Sequence, residues 1–192
     1  MAHIITSALT SSEPANGKLG TVHVEDTGLS IEKENQLKEL KIAEDLGAPD
    51  VYIDAETDSS WYHWVGHIWV KPLRFENRTG CYVIALKSDE HTELGKHRHR
   101  GEVKAYTVRG NWGYHEYTWT GKPGDYITEN PGAIHTLWMG EQSEILFTVM
   151  GSIEFFHDDN TLRETMDGFS FWRMYVEHCE KKGIEPNRRL WY

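Results

Sequence analysis

Cysteine is scarce: the 192 residues contain two, Cys81 and Cys179. That is too few for a disulfide framework and fits a reducing compartment. Long apolar runs are missing too, and none approaches the roughly 20 residues needed to span a bilayer. The first segment, MAHIITSALTSSEPANG, has neither a basic n-region nor a sustained apolar stretch, so it does not read as a secretory signal. Positive charge is in deficit, with 20 Lys and Arg against 30 Asp and Glu and a formal charge of −10. Nucleic acid and anionic lipid both select for concentrated basic side chains, so neither is expected as a partner. The expected location is the cytoplasm, and at this length a single core is the default.

What the chain has instead is 8 Trp, 9 Tyr, 6 Phe and 11 His. Aromatics at this density fill a core or line a pocket. Residues 1–29 are polar and without a clean period, and read as an arm. From Ser30, a possible cap, Leu37 and Leu40 fall at i, i+3, and Gly47 with Pro49 supplies a stop, so residues 1–48 read as an arm followed by a short helix.

Residues 49–192 read as one β domain. The segments VYID, WVGHIWVKPLRF, GCYVIALKS, VKAYTVRG, NWGYHEYTW, GDYITEN, HTLWMG, EILFTVMG and SIEFFHDD are rich in Val, Ile, Thr and aromatics, with turn residues between them. Strands this close together leave no room for crossover helices, so the sheet is antiparallel, a sandwich or a barrel. Phe169, Trp172, Val176 and Cys179 then space an apolar stripe before Gly183, so residues 167–182 read as an amphipathic helix covering it.

The informative segment is Gly95-Lys96-His97-Arg98-His99-Arg100-Gly101. On a strand His97 and His99 share one face, while Lys96, Arg98 and Arg100 share the other. That suits two metal ligands with solvated charges behind them; taken alone it equally suits an exposed basic strand with two incidental histidines. A second pattern follows in GDYITENPGAIH, residues 124–135: a short strand, a Pro-Gly turn, then His135 opening the next strand. Together the two patterns resemble the paired motifs of the cupin superfamily, which places a metal on His97, His99 and His135. The fold implied is all-β: a double-stranded antiparallel β-helix, or jelly-roll barrel, with an N-terminal extension and a C-terminal helix.

The runs HRHRGEVKAYTVRGNWGYHEYTW, PGAIHTLW and SIEFF, with WVKPLRF upstream, resemble the 2,4′-dihydroxyacetophenone dioxygenase family of cupins over roughly residues 49–184. That resemblance implies a non-haem iron, Fe(II), and O2-dependent cleavage of an aryl hydroxyketone between its carbonyl and hydroxymethyl carbons. For 2,4′-dihydroxyacetophenone the products are 4-hydroxybenzoate and formate. Ligand softness alone also admits Zn, Ni or Cu. Cupins of this kind commonly pair, which implies a homo-oligomer, a dimer or tetramer.

The spacing departs from the general cupin pattern at Glu102, three residues after His99 and eight before Gly110. Strand parity puts Val103, not Glu102, where a fourth ligand would stand, and so favours three neutral histidines. Trp112, Tyr114, Glu116 and Thr118 share one face of a strand in the same parity. The W-x-Y-x-E-Y arrangement belongs to the family pattern, which implies pocket-wall roles for Trp112 and Tyr114 and a proton-accepting or ligand-orienting role for Glu116. The opposite face would leave Glu116 solvated; burying Trp and Tyr rather than His115 and Tyr117 favours the interior.

The remaining histidines have plainer readings. His63 and His67 lie on a strand, His115 points outward, His157 sits in a hairpin turn and His178 on the helix, while His3, His23 and His91 fall in polar, exposed segments. Cys179 belongs to the helix stripe. The leading functional expectation is an iron dioxygenase that takes a small aromatic or enolisable ketone and O2. A non-redox isomerase, lyase or cyclase acting through a metal-stabilised enolate, and a non-catalytic metal-binding sensory cupin, are the other two classes.

Overall fold

The structure, a computed structural model, describes residues 33–192. The expected arm over 1–29 and the cap at Ser30 lie outside the described residues, as do His3 and His23. The described residues divide after Pro49 into two units, 33–49 and Asp50–Tyr192. In the first, helix α1 (Lys33–Leu46) ends where Gly47 donates its N–H to the Ala43 carbonyl at 2.7 Å. Its Leu37 and Leu40 are exposed. No helix of the described residues is long and apolar enough to cross a membrane.

The second unit is built from eleven strands: β1 (Tyr62–Val65), β2 (Ile68–Glu76), β3 (Cys81–Ser88), β4 (Thr92–His99), β5 (Val103–Arg109), β6 (Trp112–Tyr114), β7 (Tyr126–Glu129), β8 (Ile134–Met139), β9 (Glu144–Met150), β10 (Ile153–Phe156) and β11 (Leu162–Met166). They form a six-stranded sheet in the order β1-β2-β3-β9-β5-β7 and a five-stranded sheet in the order β11-β10-β4-β8-β6. Every named pairing is antiparallel, as the short connections require. The inward faces follow period two: in β9, Ile145, Phe147 and Val149 are buried while their neighbours are half-exposed.

Several local features differ from the sequence reading. VYID has no regular structure, and WVGHIWVKPLRF is broken at Gly66 (φ +55) into the β1–β2 hairpin. The residues of β11, LRETM, carry no alternating apolar signal because only Met166 is buried. Helix α2 runs Gly168–Lys182, capped by Asp167 at its start and by left-handed Gly183 at its end. Its buried face is Phe171, Tyr175 and Cys179, not the stripe through Phe169. Phe169 falls in the first turn and packs instead on Trp191 of the C-terminal segment, with 61% of its surface exposed.

Candidate metal centre

Strand β4 carries the first two histidines and β8 the third. Their register sets His97 directly opposite His135, with His99 two residues along on the same inward face. All three are buried, at 2%, 7% and 1% exposure. Each offers a ring nitrogen, and these atoms lie within 4.8 Å of one another. The two sequence patterns are physically joined here, since Gly132 of the Pro-Gly turn donates its N–H to the His99 carbonyl at 2.9 Å. Gly132 has φ +85, a conformation that glycine adopts without the Cβ penalty. Gly101, just after the pair, runs so close to Met150 that a Cβ there would lie 2.2 Å from its carbonyl oxygen.

The outward face of β4 is less solvated than expected. Glu154 of β10 accepts from Arg98 Nε at 2.6 Å and from Arg100 Nε at 2.7 Å, so one buried carboxylate spans both guanidinium groups behind the histidines. Those bonds, that from Arg100 foremost, hold the Glu154 carboxyl below its ordinary value despite partial desolvation. The clamp fixes the strand from its outer side.

Burial shapes the protonation of the imidazoles. It pushes His97 down to about 4, His99 to about 2 and His135 to about 3, because a cation in this interior has lost its hydration. All three are therefore neutral at pH 7, the form that coordinates a metal. His97 Nδ1 bonds the Gly95 carbonyl at 2.9 Å, which orients the ring and leaves Nε2 for a ligand. His99 Nδ1 and both nitrogens of His135 are buried without a hydrogen-bond partner. Buried polar atoms without a partner are costly unless something binds them, and with one ring nitrogen from each histidine within 4.8 Å of the others the donor set fits a divalent ion.

A carboxylate that sequence reasoning missed completes the group. Glu129, at the end of β7, is 6% exposed, and its Oε2 lies 3.6 Å from His99 Nε2 and 3.5 Å from His135 Nε2. Its Oε1 accepts from the Tyr114 hydroxyl at 2.5 Å. Burial pushes the Glu129 carboxyl up to about 7, against the downward pull of the Tyr114 bond. The register of β5 and β7 places Glu129 directly opposite Val103. Val103 is fully buried and Glu102 turns away to pair with Lys104 at 3.2 Å, as strand parity requires. The carboxylate absent from β5 thus comes from the neighbouring strand. Alternation from Ile127 to Glu129 was the available signal, hidden by the turn chemistry of Asn130-Pro131-Gly132.

The face assigned to Glu116 needs correction. Strand β6 stops at Tyr114 and the chain turns, with Tyr117 N–H donating to the Tyr114 carbonyl, so parity no longer carries to residue 116. Glu116 is exposed, and its carboxylate accepts from the Thr136 backbone N–H at 2.8 Å and from its hydroxyl at 3.0 Å. Partial burial raises this carboxyl, but the hydrogen bonds from Thr136 outweigh it and leave it below its ordinary value. It therefore braces the residue next to His135 from outside. Tyr114 is on the chamber wall, stacked on His135, whereas Trp112 lies behind it in the core and donates its Nε1–H to Thr107 at 2.8 Å.

The chamber beside the histidines is small, about 30 Å³, and its wall is mainly apolar, including Trp64, Leu86, Leu94, Phe147 and Phe171. That is room for one or two waters. His63, His67, His115 and His157 are all exposed, so only three of the histidines converge among the described residues.

The ChrR Cupin-like domain family matches residues 49–154. Among solved structures, an RmlC-like cupin protein from Ralstonia eutropha JMP134 is 23% identical, with a TM-score of 0.67 over 72% of this chain and 92% of that one. An acetylacetone dioxygenase from Acinetobacter johnsonii is 14% identical, with a TM-score of 0.61 over 68% of this chain and 93% of that one. At these identities the likeness is one of fold. No curated protein matches the sequence.

Proposed function

The chain belongs to the ChrR Cupin-like domain family, and on that footing we propose that it is a metal-dependent oxygenase that cleaves a C–C bond in an enolisable ketone, an aryl hydroxyketone or β-diketone, with Fe(II) as its metal. The observation that carries this reading is the pairing of three buried, neutral imidazoles with one buried carboxylate 3.5–3.6 Å from two of them. His97, His99 and His135 hold the ion. When bound, a redox-active divalent ion supplies Lewis acidity toward an enolate oxygen and electrons toward O2.

The protein's own groups do the rest. Glu129 Oε2 is the only carboxylate oxygen among the described residues placed against two of the histidines, and it accepts the proton released as the ketone enolises. Tyr114 holds the other oxygen of that carboxylate and keeps it aimed. The apolar wall leaves room for no more than one or two waters, which strengthens every charge interaction inside and protects a reactive enolate. Glu116 is a positioning residue that acts through Thr136 on the strand carrying His135. The fold is one that an acetylacetone dioxygenase also uses, which favours a 1,3-dicarbonyl or α-hydroxyketone substrate.

A second reading is favoured by the size of the chamber. At about 30 Å³ it holds no aryl ketone as it stands, which suits a cupin that binds metal as a sensor without turnover. Oxygen uptake by the iron-loaded protein with hydroxyacetophenones and β-diketones separates the two: substrate-dependent uptake supports the oxygenase, and none across the panel supports the sensor.

A further inference from the structure

The wall of the barrel has a gap. β10 pairs with β4 only from His97 to His99, so the first half of β4, from Thr92 to Lys96, has no strand partner on that edge. Outside this edge lies a cleft of about 320 Å³, bordered by Gly95, Met166 and Met174 and, at its rim, by Arg163 and Arg173. Inside it lies the histidine chamber. Trp64 and Leu94 line both spaces. The partition is therefore one side chain thick.

Trp64 is the main panel of that partition. Its ring meets Phe171 edge-on at 5.2 Å and Phe155 at 6.1 Å, and Phe155 in turn lies 5.7 Å from His97. On the outer side the Arg163 guanidinium covers Phe155 at 5.1 Å. Trp64 is also weakly held by its backbone. It sits on four-residue β1, at the edge of the six-stranded sheet, where the β1–β2 register shifts between His63 and Val65. Trp64 is the residue left out of the ladder, so no β1–β2 pairing fixes it, and a bulge at a sheet edge is where a strand re-aims a side chain.

We infer that ligands reach the histidines sideways through this gap, with Trp64 as its door, and that the outer cleft holds the planar aromatic body of the ligand. The inner chamber then receives only the small polar end that meets the histidines. This rests on the proposed function for the identity of that end, and it resolves the mismatch between an aryl ketone and a chamber of about 30 Å³. The cleft wall is more polar than apolar, with Glu93, Arg163, Glu164 and Arg173 around Val65, Met166 and Met174, and it suits a planar aromatic body that carries polar substituents. An aromatic ketone with polar ring substituents is accordingly the favoured class.

The test begins with metal-free protein. In a C81S background, Thr165→Cys puts a thiol on the exposed cleft face of β11 and leaves Trp64 untouched. Labelling it with pyrene maleimide is expected to slow carbethoxylation of His97, His99 and His135 by diethyl pyrocarbonate about tenfold or more, since only local opening would then admit the reagent. Exposed His67 should react unchanged. Trp64→Ala, unlabelled, is expected to speed the three buried sites. Equal rates at those sites with and without the label would overturn the side entrance.

The ligand class is read in cobalt-loaded protein from its visible spectrum. Benzohydroxamate is expected to bind about tenfold tighter than acetohydroxamate, because its ring is buried in the cleft, and the label should abolish the difference. Equal binding of the two hydroxamates would overturn the placement of the aromatic body. A chain that takes up no cobalt would instead count against the proposed function, leaving the carbethoxylation result to decide the entrance.

Discussion

Tyr114 lies flat against His135, with ring centroids 3.7 Å apart and planes within 6° of parallel, while its hydroxyl holds Glu129 at 2.5 Å. One side chain thus sets the orientation of a candidate ligand and of the carboxylate beside it. Such contacts behind a metal ligand tune both its geometry and its basicity.

Tyr114→Phe should keep the stack and lose the bond. It leaves a buried carboxylate oxygen without a donor, which is expected to cost about 1–3 kcal/mol in urea unfolding of the metal-free protein. In the proposed reaction the substitution should lower kcat more than it raises KM, because Glu129 loses its aim while the chamber wall is retained. An unchanged kcat would separate Glu129 from Tyr114 functionally.

Metal removal should destabilise the domain, since a ligand that binds only the folded chain adds its binding free energy to stability. Dialysis against a chelator is expected to lower Tm, and one equivalent of divalent ion should restore it. His135→Ala should abolish that response. A variant at exposed His67 should retain it fully.

Acid should weaken the metal-free protein. The three histidines have folded pKa values of about 4, 2 and 3, below the ordinary 6.5, so between about pH 4.5 and 6.5 the unfolded chain binds more protons at these sites and stability falls as pH falls. Glu129 works the other way. Its folded value of about 7 exceeds the ordinary 4.5, so over the same window its contribution falls as pH rises. Three imidazoles against one carboxyl leave a net loss on acidification, measurable as a lower urea midpoint at pH 5 than at pH 7.

The Arg98–Glu154–Arg100 clamp offers a variant on the outer face of β4, behind the histidines. Glu154→Gln removes the charge but keeps the shape, and with both guanidinium groups partly in water the expected cost is about 1 kcal/mol. The depressed carboxyl of Glu154 contributes stability above about pH 4.5, its ordinary value, and that contribution is lost as pH falls through its folded value. The variant should lack this part of the acid sensitivity.

These outcomes rest partly on residues whose placement is legible in the chain. Strand alternation sufficed for His97, His99 and Val103, because β4 and β5 are regular where those residues sit. It does not hold at Glu116 because β6 ends two residues earlier, at Tyr114, and the chain turns. Glu129 was within reach of alternation from Ile127, but a Glu before Asn-Pro-Gly also reads as ordinary turn chemistry, and only the pairing of β7 with β5 turns it inward. Trp64 was out of reach altogether, since its position depends on a bulge that period-two counting cannot register. The stripe of α2 was displaced from Phe169 because Trp191, distant in sequence, offered that ring a partner outside the core.

Oxygen consumption by the iron-loaded protein is the most direct measure of the central claim. With one iron bound per chain, a hydroxyacetophenone or a β-diketone should drive uptake of one O2 per substrate cleaved, and Glu129→Gln should suppress turnover while retaining the iron. Iron bound at the three histidines with no substrate-dependent uptake, or full turnover in the Gln variant, would contradict it.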